Sequence, residues 1–257
     1  MYYTKNPWDQ KEELKTKARE HTKEMQESFP EEISECIEKS LIYGGPDLTP
    51  KESTENSQPR FMFLNTDTVS ALKYIKNATL LNFASYKNPG GRFYDGSKAQ
   101  EEMLCHASFL YNVLRNFSGY YKWNAEHKNK ALYADRAIFT PNVRFGEVKA
   151  NIITCAAPNF GPALKYGNAT AEENSKALKE RIEFIKKIAE DNDVESLVLG
   201  AFGCGVFKQN PTEVATLIKE IFSVTSVENI VTSVPGNDAN FKAFKEVFGE
   251  PMKIRER

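Results

Sequence analysis

Short apolar runs alternate with longer amphipathic segments over most of the chain after about residue 60. Apolar runs of roughly four to eight residues are typical of buried strands, whereas apolar positions spaced three and four residues apart are typical of helices. The apolar runs predict strands at Phe61–Leu64, Thr79–Phe83, Ala137–Phe139, Ile152–Ala156, Leu197–Phe202 and Ile230–Val234. The amphipathic segments predict helices at Thr68–Lys76, Ser97–Phe117, Ala171–Asp191, Pro211–Phe222 and Asp238–Phe248.

This order of elements predicts the architecture. Strands that are apolar along their whole length, with helices between them, form sheets that are covered on both faces. We therefore expect a three-layer α/β/α domain. Ligands of such domains bind where loops leave the carboxyl ends of the strands. The loops expected at that edge are SYKNPGGRFYDGSKAQEE, APNFGP, GCGVFKQNP and PGND.

The N-terminal part has a different pattern, because charged residues dominate it. Residues 10–40 hold 15 charged side chains. We expect two mostly solvent-exposed helices in this stretch, and Pro30 suits the first position of the second helix. The apolar residues that share one stripe of that helix are Ile33, Ile37 and Leu41.

A change of composition marks the expected domain boundary. The stretch 44–59 is rich in Gly, Pro, Ser and Thr, which is typical of a linker or mobile loop. The sequence therefore predicts a charged helical extension with its linker at 1–58 and one larger domain at 59–257.

Composition and charge exclude several classes of protein. Of the 257 residues, 40% are hydrophobic, which is enough for a substantial core and argues against a disordered chain. The 34 basic and 35 acidic side chains nearly balance, so the overall charge does not favour general binding of nucleic acids. No apolar run approaches the roughly 20 residues that span a bilayer, and the N-terminus has no apolar signal segment. We therefore expect neither a membrane partner nor secretion.

The cysteines bear on metal binding and on the cellular compartment. The four cysteines, which form no CxxC pair, are Cys36, Cys105, Cys155 and Cys204. Their spacing predicts neither a zinc site nor a disulfide framework. We expect reduced thiols, a cytoplasmic location and no bound metal.

The loop at 88–102 carries the first candidate site. Asn88–Gly91 predicts a tight turn whose backbone can approach a ligand closely, since glycine has no Cβ. Ser97–Gln100 matches a capping box that begins a helix, which places Glu101 and Glu102 in its first turn. Two acids at a helix N-terminus more often only complement the helix dipole. Their side chains point about 100° apart, however, so one can hold a sugar hydroxyl while the other delivers a proton.

The second candidate site is the glycine loop, Gly203–Phe207 (GCGVF). It precedes a predicted helix for which Asn210 is the expected N-cap and Pro211 a suitable first residue. Such a loop can aim backbone N–H groups at a phosphate. A purely structural turn is the more frequent use of GxG. Packing in the core is the more frequent role of a residue such as Phe207, and stacking on a ligand is the alternative.

Other residues have simpler interpretations. His106 lies one helical turn beyond Glu102 and can hydrogen-bond to it, although a packing role is more frequent. Cys204 has no His partner in the sequence and is interpreted as a small loop residue, not a nucleophile. Asp238 is the expected cap of the last helix.

Taken in order, these loops resemble the microbial-type poly(ADP-ribose) glycohydrolases, which have a macrodomain fold. The hallmark of that family is a glycine triplet followed, after a short spacer, by Gln-Glu-Glu. The corresponding segment here is LNFASYKNPGGRFYDGSKAQEEMLCHASFLY, and the flanking segments FTPNVRFG, IITCAAPNFG and SLVLGAFGCGVFKQNPTEVA also resemble the family. The likeness runs from about Arg60 to the C-terminus. It implies an α/β/α macrodomain with a mixed central sheet behind an N-terminal helical extension.

The resemblance implies roles for individual residues. Glu102, the second acid of Gln-Glu-Glu, would be the catalytic acid that protonates the oxygen leaving the ribose–ribose bond. Glu101 would hold ribose hydroxyls, and Gln100 would order the loop. The backbone of the two glycine turns would bind the diphosphate, and Phe207 would pack against the ligand. The substrate-binding residues would be Asn88, Gly90, Gly91, Gln100, Gly203, Cys204, Gly205, Val206 and Phe207.

One position departs from the family pattern. Arg92 stands where the family has the third glycine of its triplet. Its side chain would either crowd the site and distort the loop, or turn outward and meet a phosphate of the polymer. The residue that matches the family's loop asparagine is either Ser85 or Asn88.

The expected function is hydrolysis of poly(ADP-ribose) or of ADP-ribosylated macromolecules, with ADP-ribose as the product and without a cofactor. One alternative is a module that binds ADP-ribose without turnover, which Arg92 would favour. Another is a hydrolase of mono-ADP-ribose bonds. A nicotinamide-dependent dehydrogenase is disfavoured, because no G-x-G-x-x-G follows the first strand.

Overall fold

The computed structural model describes residues 7–51 and 57–253. Its helices are α1 (Pro7–Ser28), α2 (Pro30–Lys39), α3 (Thr68–Ala71), α4 (Gln100–Ala107), α5 (Leu110–Leu114), α6 (Ser118–Glu126), α7 (Phe160–Tyr166), α8 (Ala171–Asp191), α9 (Pro211–Ile221) and α10 (Ala239–Phe248). Its strands are β1 (Leu41–Tyr43), β2 (Arg60–Leu64), β3 (Ala78–Phe83), β4 (Ala137–Phe145), β5 (Val148–Cys155), β6 (Ser196–Leu199) and β7 (Asn229–Ser233). Within these ranges no helix is both long enough and apolar enough to cross a membrane.

The strands form one mixed sheet in the order β1-β4-β5-β3-β6-β7-β2. The strands from β5 to β2 are parallel to one another, whereas β4 is antiparallel to both of its neighbours, β1 and β5. The parallel strands therefore end on one common edge of the sheet, where the loops singled out in the sequence lie.

Helices cover both faces of this sheet. Leu80 and Ile152 belong to a buried cluster that includes apolar residues of α1, α2, α4 and α5. Leu81 and Ile153, the next residue of each strand, belong to a second cluster with residues of α8, α9 and α10. Successive side chains of a strand point to opposite faces, so the two clusters are the two cores of a three-layer molecule. The predicted α/β/α architecture with a mixed sheet is confirmed.

The N-terminal helices take part in this packing. The break between α1 and α2 falls at Pro30 as predicted. Most of the described side chains of these helices are exposed or half-buried, as expected, while Ala18 and Ile33 are buried in the core. Leu41 was expected on the helical stripe of Ile33. It instead begins β1, because α2 ends at Lys39 and the chain then pairs with β4.

The predicted linker is only partly described. Residues 52–56 lie outside the described residues, as do residues 1–6 at the N-terminus, where no signal segment is expected. Ser57 forms an isolated bridge with Thr225. The division of the chain at 58/59 stays a prediction, and β1 lies in the same sheet as the strands that follow the linker.

The long helix predicted at Ser97–Phe117 consists of two helices, α4 and α5. Ser108 interrupts it, because its Oγ donates to the Leu104 carbonyl at 2.8 Å and accepts from the Leu110 N–H at 3.1 Å. Such local side-chain bonds compete with helical ones. The sequence patterns also missed α6 and α7, and α3 is shorter than predicted.

Two predicted helix caps are confirmed. Asn210 precedes α9, and its Oδ1 accepts from the Thr212 N–H at 2.9 Å. Asp238 precedes α10, and its Oδ1 accepts from the Phe241 N–H at 3.0 Å. Each cap satisfies an N–H group that has no partner within its helix.

Candidate active site

A cleft of about 630 Å³ opens at the carboxyl ends of the parallel strands. Residues that end or follow β2, β3, β6 and β7 line it, at 67–69, 83–85, 201–203 and 233–235. The predicted site residues that line the cleft are Asn88, Gly91, Gln100, Glu101, Glu102, Gly203, Gly205, Val206 and Phe207. Gly90 and Cys204 belong to the same loops but do not line it.

Glu101 lies in the first turn of α4 and is only 3% exposed. Its Oε2 accepts from the backbone N–H of Ser85 at 2.7 Å, and its Oε1 accepts from the side-chain amide of Asn82 at 3.3 Å. Asn82 is a buried residue of β3, and Ser85 lies two residues beyond the end of that strand. The end of β3 therefore fixes both oxygens of Glu101.

Glu102 is 5% exposed and is held differently. Its Oε1 accepts from the backbone N–H of Arg92 at 2.8 Å. Its Oε2 is buried and has no hydrogen-bond partner among the described residues. Within the described residues, Glu102 is therefore held through one oxygen only.

The site raises the pKa of Glu101 to about 8. Burial is the largest cause, since it disfavours the charged carboxylate, and the nearby Glu102 raises the pKa as well. The hydrogen bonds from Ser85 and Asn82 act in the opposite direction, because they favour the charged form. Glu101 therefore holds its proton near neutral pH.

The two glycines before Arg92 are needed for different reasons. At Gly91, where φ is +62°, a Cβ would lie 2.5 Å from Oε1 of Glu102 and 2.8 Å from Oε2 of Glu101. At Gly90, where φ is +63°, a Cβ would lie 2.7 Å from the ring of Tyr111 in α5. Gly91 therefore allows the backbone to approach both acids, and Gly90 allows it to pack on the helix behind them.

Asn88 closes this turn. Its carbonyl accepts from the Gly91 N–H at 3.1 Å, and its own N–H donates to Oγ of Ser85 at 3.3 Å. Of the two candidates for the family's loop asparagine, Ser85 is the residue that reaches Glu101, through its backbone. The N–H of Gly91 is used within the turn, so the diphosphate contact expected there stays a prediction.

The capping box predicted at Ser97–Gln100 is wrong. Ala99 is the N-cap of α4, and no side chain caps it. The side chain of Gln100 instead accepts from the Phe83 N–H at 2.8 Å and donates to the Leu81 carbonyl at 2.9 Å. Gln100 thus attaches the start of α4 to the end of β3, because its side-chain amide can accept from one backbone N–H and donate to one backbone carbonyl of the strand.

Arg92 occupies the third position of the triplet without strain. Its φ is −113°, which any residue can adopt, so glycine is not required there. The side chain is 68% exposed, lines the cleft and forms an ion pair with Asp95 at 3.1 Å. The guanidinium turns outward, and the crowding that the sequence left open does not occur.

The glycine loop (Gly203–Phe207) leaves most of its backbone donors without a partner. The N–H of Cys204 donates to the Ala201 carbonyl at 3.1 Å. The N–H groups for which the described chain offers no acceptor are those of Gly203, Gly205, Val206 and Phe207. Free donors at the end of a strand form a concavity that suits an anion.

The two glycines of this loop also differ. At Gly203, where φ is +74°, a Cβ would lie 2.7 Å from Cβ of Ala157. At Gly205 a Cβ would meet no protein atom within 4 Å. Protein packing therefore explains Gly203, whereas the space in front of Gly205 is open to a ligand.

An aromatic bridge, formed by Tyr86, Tyr133 and Phe207, joins the two loops. Tyr86 stacks on Tyr133 with ring centroids 4.0 Å apart, and Tyr133 meets Phe207 edge-on at 6.2 Å. Tyr133 has a φ of +66°, and residues 129–131 also have positive φ. Non-glycine residues rarely adopt this conformation, so the segment that places Tyr133 is strained. Phe207 both packs on the protein and lines the cleft.

The simpler interpretations of His106 and Cys204 agree with the structure. Nε2 of His106 is buried without a partner in the described chain, its ring packs edge-on against Phe93 at 4.6 Å, and burial lowers its pKa. Burial raises the pKa of the Cys204 thiol to about 12. The four cysteines are free, and the described residues contain no group of three or more His, Cys, Asp or Glu that could hold a metal ion.

Sequence reasoning did not assign Asn82 or Asp67 to the site, and it named Ser85 only as a candidate for the family's loop asparagine. Asn82 interrupts the apolar strand LLNF. A polar residue inside a buried strand needs hydrogen-bond partners, and this could have identified Asn82 as a candidate site residue. Ser85 acts through its backbone, which the sequence does not distinguish. Asp67 lines the cleft and caps α3 through the Ser70 N–H.

The comparison with protein families identifies the family of the chain. The model of the microbial-type PARG catalytic domain matches residues 10–146, more than half of the chain. The chain belongs to this family of poly(ADP-ribose) glycohydrolases. The match includes the turn at Asn88–Arg92 and the Gln-Glu-Glu segment, and it ends before the glycine loop. No curated protein matches the chain significantly.

Solved PARG structures have the same fold. The PARG of Thermomonospora curvata has a TM-score of 0.81 and 24% identity, over 92% of this chain and 100% of that one. The same PARG bound to the inhibitor ADP-HPD has a TM-score of 0.78 and 23% identity, over 91% and 99%. The PARG of Deinococcus radiodurans in complex with ADP-ribose has a TM-score of 0.73 and 27% identity, over 83% and 96%.

Proposed function

We propose that this chain hydrolyses the ribose–ribose O-glycosidic bonds of poly(ADP-ribose) and releases ADP-ribose, with Glu102 as the general acid. Membership of the PARG family supports the activity, and the two buried carboxyls in the cleft support the mechanism. Cleavage of a glycosidic bond passes through an oxocarbenium-like state and needs a proton donor at the leaving oxygen.

The observation that carries this proposal is the asymmetry of the Glu102 carboxyl. Oε1 is held by the Arg92 N–H, and Oε2 has no partner in the described protein. In this proposal Glu102 donates its proton from Oε2, the oxygen that has no hydrogen bond to the described protein. A group fixed in this way can protonate the leaving oxygen without first breaking a hydrogen bond to the protein.

Glu101 has the complementary role. Its oxygens accept from Ser85 and Asn82, and each oxygen keeps a lone pair for a ribose hydroxyl. As the bond between the anomeric carbon and the leaving oxygen breaks, that oxygen takes the proton from Glu102. Water oriented by the bound diphosphate adds to the anomeric carbon, and the proton it releases returns to the carboxyl pair.

The glycine loop is the proposed site for the diphosphate of the ADP-ribose unit that is released. Its free N–H groups suit phosphate oxygens, and the open space at Gly205 allows their approach. Phe207 packs against the same ligand, with its position set by Tyr133 of the aromatic bridge.

The test compares Glu102→Gln with the wild type on poly(ADP-ribose), with free ADP-ribose quantified by chromatography. We expect the variant to bind ADP-ribose but to release it from polymer about 10²–10⁴-fold more slowly, the usual contribution of a positioned general acid. Glu246→Gln, which changes an exposed residue of α10, is the matched control. Full activity of Glu102→Gln would remove Glu102 from this role.

The same assay separates the alternatives. A module that binds without turnover would release nothing, even at high protein concentration. The reason to consider such a module was that Arg92 would crowd the site, and the structure shows no such crowding. Release from mono-ADP-ribosylated protein without release from polymer would instead indicate a mono-ADP-ribosyl hydrolase.

The proposal also covers the partners, cofactor and cellular location of the enzyme. Its partners are poly(ADP-ribose) or ADP-ribosylated macromolecules, and it uses no cofactor. The cytoplasm is the proposed location, and the four free cysteines support it, because reducing compartments keep thiols free.

A further inference from the structure

We infer that Arg92 determines a preference for polymer: its guanidinium binds a phosphate of the ADP-ribose unit on the leaving side of the scissile bond. This inference rests on the proposed function. It adds to that function a residue that contacts the unit on the leaving side of the scissile bond and thereby raises the affinity for polymer over a single ADP-ribose.

The first argument is the position of Arg92 beside the acid. Its backbone N–H lies 2.8 Å from Oε1 of Glu102, and both residues line the cleft. Glu102 protonates the oxygen that belongs to the leaving unit, so that unit lies next to this part of the wall. The ribose that carries the leaving oxygen also carries the diphosphate of its own unit. A phosphate group therefore passes close to the side chain at position 92.

The second argument is that the Arg92 side chain is free to bind. The backbone at this position holds the acid and leaves the guanidinium 68% exposed. Its ion-pair partner, Asp95, is also exposed, at 57%, and exposed pairs of this kind contribute little. A phosphate can replace the carboxylate, since the planar guanidinium binds either group through two parallel hydrogen bonds.

The third argument is the distribution of charge along the cleft. Lys98 is exposed and lines the same segment of wall as Arg92, between the Asn88–Gly91 turn and α4. The glycine loop offers neutral N–H donors on a different strand, β6. The cleft therefore has two distinct places for phosphate, and the cationic one adjoins the acid.

The test measures binding in the Glu102→Gln background, in which the substrate is not consumed. Glu102→Gln, with and without Arg92→Ala, is titrated with ADP-ribose and with purified poly(ADP-ribose) at several salt concentrations. We expect Arg92→Ala to weaken polymer binding by about two- to fivefold, with a smaller change for ADP-ribose. The slope of log Kd against log salt should fall by about 0.7 to 1, as for one lost phosphate contact.

Two further variants sharpen the result. Asp95→Asn releases Arg92 and should strengthen polymer binding, and this gain should shrink when Arg92 is alanine. Lys179→Ala removes an exposed cation from an ion pair on α8, away from the cleft, and should leave polymer binding unchanged.

The outcomes distinguish the inference from the proposed function. Equal effects of Arg92→Ala on both ligands, or an unchanged salt slope, would overturn the role of Arg92 whether or not the wild type hydrolyses polymer. Failure of the wild type to release ADP-ribose from polymer would overturn the proposed function and leave the binding comparison valid. If neither ligand binds, both are overturned.

Discussion

Two glycine turns border the cleft, and they use their backbone N–H groups in different ways. In the turn that follows β3, the N–H groups of Ser85 and Arg92 donate to Glu101 and Glu102. In the turn that follows β6, the loop at 203–207, four N–H groups have no acceptor in the described chain. Both turns look alike in the sequence, as glycines between a strand and a helix.

This difference suits the first turn to orienting the acids and the second turn to binding a ligand. The first turn is satisfied by the protein's own carboxyls, so in the proposed mechanism the acids are oriented before a ligand arrives and need no rearrangement during the reaction. The second turn has N–H donors that the described chain does not use, so their hydrogen bonds to a bound diphosphate would contribute to affinity. The three predictions that follow test this contrast, from the largest expected effect to the smallest.

Gly91→Ala should damage catalysis most. The added methyl would overlap both carboxyls, so we expect activity on poly(ADP-ribose) to fall by at least about 100-fold, the lower range for loss of a positioned acid. Gly146→Ala is the matched control, because its φ of +59° is similar and nothing lies within 4 Å of its Cβ. Both variants should lose about 1–2 kcal/mol of stability from the left-handed backbone. Gly91→Ala should lose more than this because its Cβ overlaps the buried acids, and only Gly91→Ala should lose the activity. Equal activity of the two variants would contradict the close approach of backbone and acids.

Stability should depend on pH through Glu101. Its pKa is about 8 in the folded protein against 4.5 for the free group, so the stabilisation is fully present below pH 4.5. As the pH rises toward 8 the unfolded chain loses this proton first, and stability should decline by at most about 1.4 kcal/mol per pH unit. Chemical denaturation at pH 5 and pH 8 measures the decline. In Glu101→Gln it should be smaller, and an identical decline would exclude Glu101 as its source.

Gly205→Ala should affect binding but not folding. The position is unstrained and the space before it is open, so stability should stay unchanged, while the methyl should reduce affinity for ADP-ribose by about tenfold. Calorimetry measures the affinity, and Gly119→Ala, at another glycine with open space around it, is the control. Gly203→Ala should do the opposite and destabilise the fold, because its Cβ would meet Ala157. Unchanged affinity in Gly205→Ala would place the diphosphate elsewhere.

Much of the fold was predictable because buried strands and helix faces require apolar residues, which the sequence shows directly. The central strands are apolar along their length, and α8 was predicted with its observed bounds, Ala171–Asp191. The short strand β1 was not predictable in this way, since three residues are too few to show an alternation of apolar and polar positions. Its pairing with β4 also depends on residues about 100 positions away. Ser108 likewise breaks a continuous helical pattern through bonds that the pattern does not encode.

The candidate site was also predictable only in part. Residues proposed to act through their side chains, such as Glu101 and Glu102, were predicted from their chemistry and from the family motif. Contacts made by the backbone were not, and the N–H groups of Ser85 and Arg92 are the clearest cases. Gln100 was assigned to the right loop with the wrong partner, because its amide satisfies β3 and not the helix end.

The conformation at position 92 has an evolutionary consequence. Its N–H serves the acid while its side chain faces solvent, so the two functions can change independently. Almost any residue preserves the amide, and proline is the exception, since it has no N–H and fixes φ near −65°. On the proposed roles of Arg92 and Glu102, substitution at this position would alter which chains are preferred while the proton donor stays in place. Change at position 92 would then offer a route to new substrate ranges that does not pass through an inactive enzyme.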